Sequence, residues 1–255
     1  MVRKMDLIVN ADDLGYSSDV NEAILTRMAQ GCITSSTILA NGPALDDAIR
    51  RIRDYPQYSI GVHLNLTEFR PLVGCNGLLP ILDAEGCFAI GRIRHSRITG
   101  HLQEAIFQEW CAQIERLASL GLRPSHIDSH HHVHTIPALF PVLKRIQRRF
   151  GLRKVRPTMN IYPPDATKTP RKMVCKVVWN LALHYYYRTA TCSGFTNLST
   201  FYAVAQQQPL SHHSVEVSVH PGQPGFEHES RVLDQPWQHS LPFMANLIGY
   251  HDLGM

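Results

Sequence analysis

The strongest constraint on this chain is an alternation: short apolar runs that end in polar clusters take turns with amphipathic stretches of helical period. Residues 6–10 (DLIVN) read as a buried strand delivering Ala11-Asp12-Asp13 at its end. Residues 17–30 space Val20, Ala23, Ile24 and Met28 along one helical face, with Ser17 or Ser18 as cap and Gly31 as stop. Residues 33–39 read as a second strand, 43–55 as a helix, and 58–64 (YSIGVHL) as a third strand. The stretch 67–97 is rich in Gly and Pro, has no clear period, and reads as a long functional loop or an insertion. Helical spacing returns over 101–120, ended by Gly121, and 124–128 leads a strand into a histidine run. A basic amphipathic helix is predicted over 137–150, a strand-like run over 152–156, and an aromatic helix over 173–188. Residues 214–219 (SVEVSV) alternate as a strand does and meet His220-Pro221-Gly222, and a last helix is predicted over 233–249. Strand and helix in repeated order predict an α/β protein with a mainly parallel sheet, either a barrel or an open doubly wound sheet. No glycine-rich loop follows the first strand, so a dinucleotide fold lacks its main sign. With no repeat and no linker, residues 1–255 read as a single domain.

Composition narrows the class. An apolar fraction of 44% and a charged fraction of 18% describe a globular protein and exclude a disordered or fibrous one. A net charge of +4 is too weak to argue for nucleic acid, and the arginine-rich stretches 50–53 and 144–149 read as solvated helix faces. Cysteines at 32, 75, 87, 111, 175 and 192 form no C-x-x-C pair, which predicts reduced thiols and a cytoplasmic setting. Residues 1–6 carry no signal-peptide apolar segment, and no run of 18 apolar residues exists to span a membrane.

The 15 histidines are the compositional excess, and their positions give it meaning. Polar clusters close three predicted strands: Asn10 with Asp12 and Asp13; His63 with Asn65 and Thr67; and His126, Asp128, Ser129, His130, His131, His132 and His134. In parallel α/β folds the C-terminal strand ends share one face, where active sites form. Adjacent aspartates in an extended chain point to opposite sides, so Asp12 and Asp13 divide into two roles unless the chain bends. The competing use of both is capping the following helix. His126, Asp128 and His130 would share one face of a strand, and two histidines with a carboxylate suit a catalytic divalent ion. That spacing leaves His126 and His130 equally available. His63 reads either as a ligand or as a buried structural histidine, and His220 as an acid–base group or a turn residue.

The strings IVNADDLG (8–15), GVHL (61–64), HIDSHHHVH (126–134) and HPG (220–222) resemble the YdjC-like carbohydrate deacetylases. That family includes chitooligosaccharide deacetylases and a member linked to hopanoid biosynthesis. The resemblance covers about residues 5–225. It implies a deformed (β/α) barrel of TIM-barrel type, with one divalent ion, magnesium or zinc, at the C-terminal ends of the strands. It implies Asp13, His63 and His130 as metal ligands, Asp12 as the base acting on a metal-activated water, and His220 as the acid that protonates the leaving amine. Arg156 is implied to orient Asp12 or bind substrate, and His126, Asp128 and His132 to orient or bind around them. The implied activity is hydrolytic removal of an N-acetyl group from an amino sugar or oligosaccharide. The alternatives are an amidase or esterase on a non-sugar or lipid-linked acyl group, or a non-catalytic sugar-binding protein. An aspartate with two histidines suits zinc, cobalt or nickel by ligand type. The sequence departs from the family at Leu14, where phenylalanine is common, and in residues 71–97 and 162–208, which would shape the substrate pocket. The helix within 171–188 is basic, aromatic and apolar, which fits a barrel helix, a homodimer contact or a membrane surface.

Overall fold

A computed structural model describes residues 4–163, 166, 169–207 and 209–254. Residues 1–3 of the segment read for a leader, and residues 164, 165, 167, 168 and 208 of the substrate-shaping region, lie outside the described residues. The predicted alternation appears as β1 (Lys4–Leu14), α1 (Ser18–Ala29), β2 (Ser35–Ile38), α2 (Leu45–Ile52) and β3 (Ser59–Leu64). Then come α3 (Ile90–His95), α4 (Gly100–Ser119), β4 (Ile127–Ser129), α5 (Phe140–Phe150) and α6 (Pro170–Tyr185). The chain continues through β5 (Gly194–Asn197), α7 (Leu198–Gln207), β6 (Ser214–Val219), α8 (Glu227–Leu233) and β7 (Met244–Leu247).

The strands form one sheet in the order β4-β3-β2-β1-β6-β5, with β7 also on β1, and every ladder is parallel. β1 serves two neighbours in turn: Lys4 to Leu7 pair β7, and Asn10 to Leu14 pair β2. Between the outer strands β4 and β5 the described residues make single bridges, Ile127 to Val155 and Lys154 to Ala190, and backbone bonds from Asn160 N and Ile161 N to Phe195 O of β5. The sheet therefore curls into a half-barrel without a closing ladder, and the strand-like run 152–156 supplies bridges instead of a full strand. Strands β2, β3 and β6 are buried along their whole length, as expected of a parallel sheet covered on both faces.

Local chemistry accounts for the helix ends. The Ser17 hydroxyl accepts a hydrogen bond from Val20 N and starts α1, whose Val20, Ile24, Leu25 and Met28 are buried. Each such side chain contributes about 1.5–3 kcal/mol on burial, an upper figure because the unfolded chain already hides some apolar surface. The stretch 67–97 is ordered beyond expectation, with a 3-10 turn at Asn76–Ile81 and the helix α3. The buried Glu109 carboxylate ties it down by accepting from Leu72 N and Val73 N. The predicted helix over 233–249 is not formed. Pro236 and Pro242 interrupt that period, and the chain makes a 3-10 turn at Trp237–Ser240 and then β7, which pairs with β1. Among the described residues no helix is long and apolar enough to cross a membrane, and all six thiols are free.

Candidate metal centre and active site

The end of β1 is bent. Its register with β2 shifts between Ala11 and Leu14, and Asp13 adopts φ 71°, a left-handed conformation uncommon for a residue with a side chain. Gly15 follows at φ 90°, where a Cβ would lie only 3.2 Å from Leu39 O. This bulge overrides the strand alternation, so Asp12 and Asp13 both line one cavity of about 380 Å³. A second strained turn follows β4: His131 and His132 both have positive φ, at 51° and 56°. That turn keeps His130, His131 and His132 on the cavity wall and sends Val133 and His134 into the interior.

Asp13, His63 and His130 converge, with one potential ligand atom from each lying within 4.8 Å of the others. Asp13 Oδ1 is 3.2 Å from His63 Nε2 and 2.7 Å from His130 Nδ1. It makes a well-angled hydrogen bond to neither, which leaves a buried carboxylate oxygen without a bonded partner between two imidazoles. Behind His63, its Nδ1 lies 2.7 Å from Asp128 Oδ1, and Thr37 Oγ1 donates to Asp128 Oδ2 at 2.9 Å. A carboxylate fixing the far nitrogen of an imidazole is the usual support for a metal-ligating histidine. The donor types, the orphaned oxygen and this support all fit a divalent ion. Burial alone would push both imidazoles down, but the surrounding carboxylates lift His63 to about 10 and His130 to about 9. Burial pushes the Asp13 carboxyl up, and the same two imidazoles outweigh it and hold it well below the usual range.

Arg156 is the hub beneath this cluster and is fully buried. Its Nη1 and Nη2 donate to both oxygens of Asp12 at 2.7 and 2.6 Å. Nη1 also lies 2.8 Å from Asp128 Oδ2, and Nε donates to Glu216 Oε1 at 2.7 Å. One guanidinium thus braces the Asp12 carboxylate, the Asp128 carboxylate behind His63, and a third acid. Burial raises the Asp12 carboxyl, but the Arg156 charge and hydrogen bonds prevail and keep it ionised far below its ordinary range. Burial carries Glu216 up to about 7 against the pull of Arg156, and Tyr250 donates to its Oε2 at 2.5 Å.

His220 closes the opposite side. Its Nε2 is 3.8 Å from Asp12 Oδ2, and its Nδ1 is 3.5 Å from Glu229 Oε2, which also accepts from the His220 backbone N–H. Burial lowers the imidazole, yet Glu229 and the two aspartates raise it above its ordinary value. His132 is different: burial first, then the Arg156 charge, pushes it down to about 3, so it faces the cavity neutral. Gln223 Nε2 donates to Asp13 Oδ2 at 3.1 Å.

The structure gathers Asp12, Asp13, His63, His130, His132 and His220 around one cavity, with Asp128 and Arg156 directly behind. It does not bring His126 there. The His126 ring is fully buried, stacks on Tyr250 at 3.6 Å, and packs where any Cβ on Gly61 would collide with it. The shared-face reading fails because His130 already lies beyond the three-residue strand β4. His134 is likewise internal, bonded to Ser129 and to the Arg156 carbonyl. Sequence reasoning missed Glu216, Glu229, Thr37 and Gln223. Glu216 had a signal, since a carboxylate within a fully buried strand needs a cationic partner.

A curled parallel α/β sheet carries this Asp-His-His cluster at the C-terminal ends of its strands, a donor set that fits a divalent ion. The chain belongs to the YdjC-like protein family, whose profile matches residues 6–246. It is 42% identical over 167 residues to a carbohydrate deacetylase of Geobacillus stearothermophilus, covering 62% of this chain and 66% of that relative. A carbohydrate deacetylase of Halalkalibacterium halodurans is 37% identical over 149 residues, covering 58% of this chain and 62% of the relative. The chain thus spans just under two thirds of these curated relatives' length. A solved structure from Enterococcus faecalis V583, of a protein provisionally linked to cellobiose-phosphate cleavage, superposes with a TM-score of 0.78 at 24% identity. That match covers 99% of this chain and all of the other, and it concerns the fold.

Proposed function

We propose that this protein is a carbohydrate deacetylase, a metal-dependent hydrolase that removes the N-acetyl group of an amino sugar or oligosaccharide. The observation that carries the reading is the convergence of the Asp13-His63-His130 set with Asp12 and His220 around one cavity. The names of the relatives support the substrate class.

Asp13, His63 and His130 would hold the ion, and their donor types favour zinc, cobalt or nickel over magnesium. When bound, the ion lowers the pKa of water and polarises the acetyl carbonyl. Asp12 receives the proton of the attacking water on a carboxylate that Arg156 keeps ionised and fixed in direction. The same pairing makes Asp12 a weak base, so a bound ion would have to supply the acidity of the water on which it acts. His220, whose proton affinity Glu229 and the two aspartates raise against the lowering effect of burial, delivers a proton to the departing nitrogen. His132, neutral and facing the cavity, offers a hydrogen bond to substrate without competing for that proton.

The test is acetate release from a panel of N-acetylated amino sugars and oligosaccharides, with protein depleted by chelator and then reconstituted with single divalent ions. Activity that vanishes on depletion and returns with one ion is expected. Metal-loaded protein that releases no acetate from any member would refute the reading.

A further inference from the structure

Helix α6 is apolar on two sides. Trp179 and Leu183 face the interior and are buried. On the other side Val174, Val177, Val178, Leu181 and Tyr185 fall at i, i+3, i+4, i+7 and i+11, one continuous stripe. These residues and Tyr186, just past the helix end, are between 51% and 77% exposed. An apolar stripe of this length left in solvent marks an interaction surface. The surrounding charge is of one sign: residues 166–215 contain no Asp or Glu. Arg171 and Lys172 stand exposed at the start of the helix and Arg188 just beyond its end. From neighbouring elements Arg148 lies over the Tyr186 ring and Arg153 over the Tyr187 ring.

We infer that the exposed face of α6 docks the protein onto an anionic lipid bilayer surface. A stripe of aliphatic residues bordered by cations, with tyrosines at one end, matches what an interfacial helix needs. The charge decides against a second copy of the chain. A two-fold pairing along α6 would set the Arg171–Lys172 end of one helix beside the Arg188 end of the other, with no carboxylate in 166–215 to neutralise them. Lipid headgroups supply the missing negative charge. The opposite, interior side of α6 reaches toward the candidate site: Lys176 donates to Met159 O at 3.3 Å, and Met159 lines that cavity. This inference stands whether or not the deacetylase reading holds.

The full chain would be co-sedimented with vesicles of phosphatidylcholine alone and with vesicles containing about 30% phosphatidylglycerol, at low and high salt. Binding is expected only to the anionic vesicles and should weaken with salt. Val177→Ser with Leu181→Ser, and separately Arg171→Glu with Lys172→Glu, should each lower partitioning by about tenfold or more. Circular dichroism should show unchanged folding, because all four side chains are solvent-exposed. Absence of binding to anionic vesicles, or equal binding by the variants, would overturn the inference. So would a concentration-dependent dimer abolished by Leu181→Ser in sedimentation equilibrium, since that assigns the face to a second copy.

Discussion

Arg156→Lys tests whether one guanidinium organises the site. The arginine engages four carboxylate oxygens with three nitrogens: both oxygens of Asp12, one of Asp128 and one of Glu216. Lysine keeps the charge but has three donors on a single atom, so it cannot span these acids. Losing two charge-assisted bonds, at about 1.5–3 kcal/mol each, costs about 3–6 kcal/mol. Unfolding entropy near 2.1 cal/mol/K per residue gives about 0.5 kcal/mol/K for 255 residues, so Tm should fall by about 6–12 °C. Turnover should fall by about a hundredfold or more, because Asp12 loses the fork that aims it. Differential scanning calorimetry, metal analysis and acetate release would be run on the same preparation. A Tm within about 2 °C of the parent together with full turnover would show that Arg156 is not the hub described.

Asp12→Asn should retain bound metal and lose about 10²–10⁴-fold in turnover, whereas His130→Ala should lose both, as read by elemental analysis and acetate release. Asp128→Asn should weaken metal affinity by about 10–100-fold by releasing His63, measured by competition with a chelating dye. Gly61→Ala should cost about 1–3 kcal/mol in chemical denaturation, because the new methyl would lie 2.5 Å from His126 Cε1. Glu216 sits at about 7 in the fold against 4.5 for the free side chain, so the native state binds the extra proton between those values. Stability conferred by that proton is full below 4.5 and is lost as pH rises through 7, so Glu216→Gln should gain relative to the parent across that window in pH-dependent denaturation.

The strand–helix alternation carried the first strands and helices of the fold almost unchanged, because β1 to β3 alternate with amphipathic helices that have clear starts and stops. Legibility failed where tertiary contacts decide. β7 is four residues whose strand character comes from pairing with β1, and Gly194–Asn197 become β5 by pairing with β6. In the site, Asp12, Asp13, His63, His130 and His220 were legible as strand-end polar residues and by family resemblance. The Arg156 hub was visible only in part. Glu216 and Glu229 take their meaning from residues 60 and 9 positions away, a relation no local spacing encodes.

The bulge at Asp13 limits how this centre can be moved. In a regular strand the two neighbouring aspartates would diverge, and only one would reach the cavity. A graft of the pair onto another parallel sheet must therefore carry the whole corner from Ala11 to Gly15, with its positive φ angles and the shifted register against β2. A scaffold given only the side chains would bring one of the two carboxylates to its cavity, and not both together.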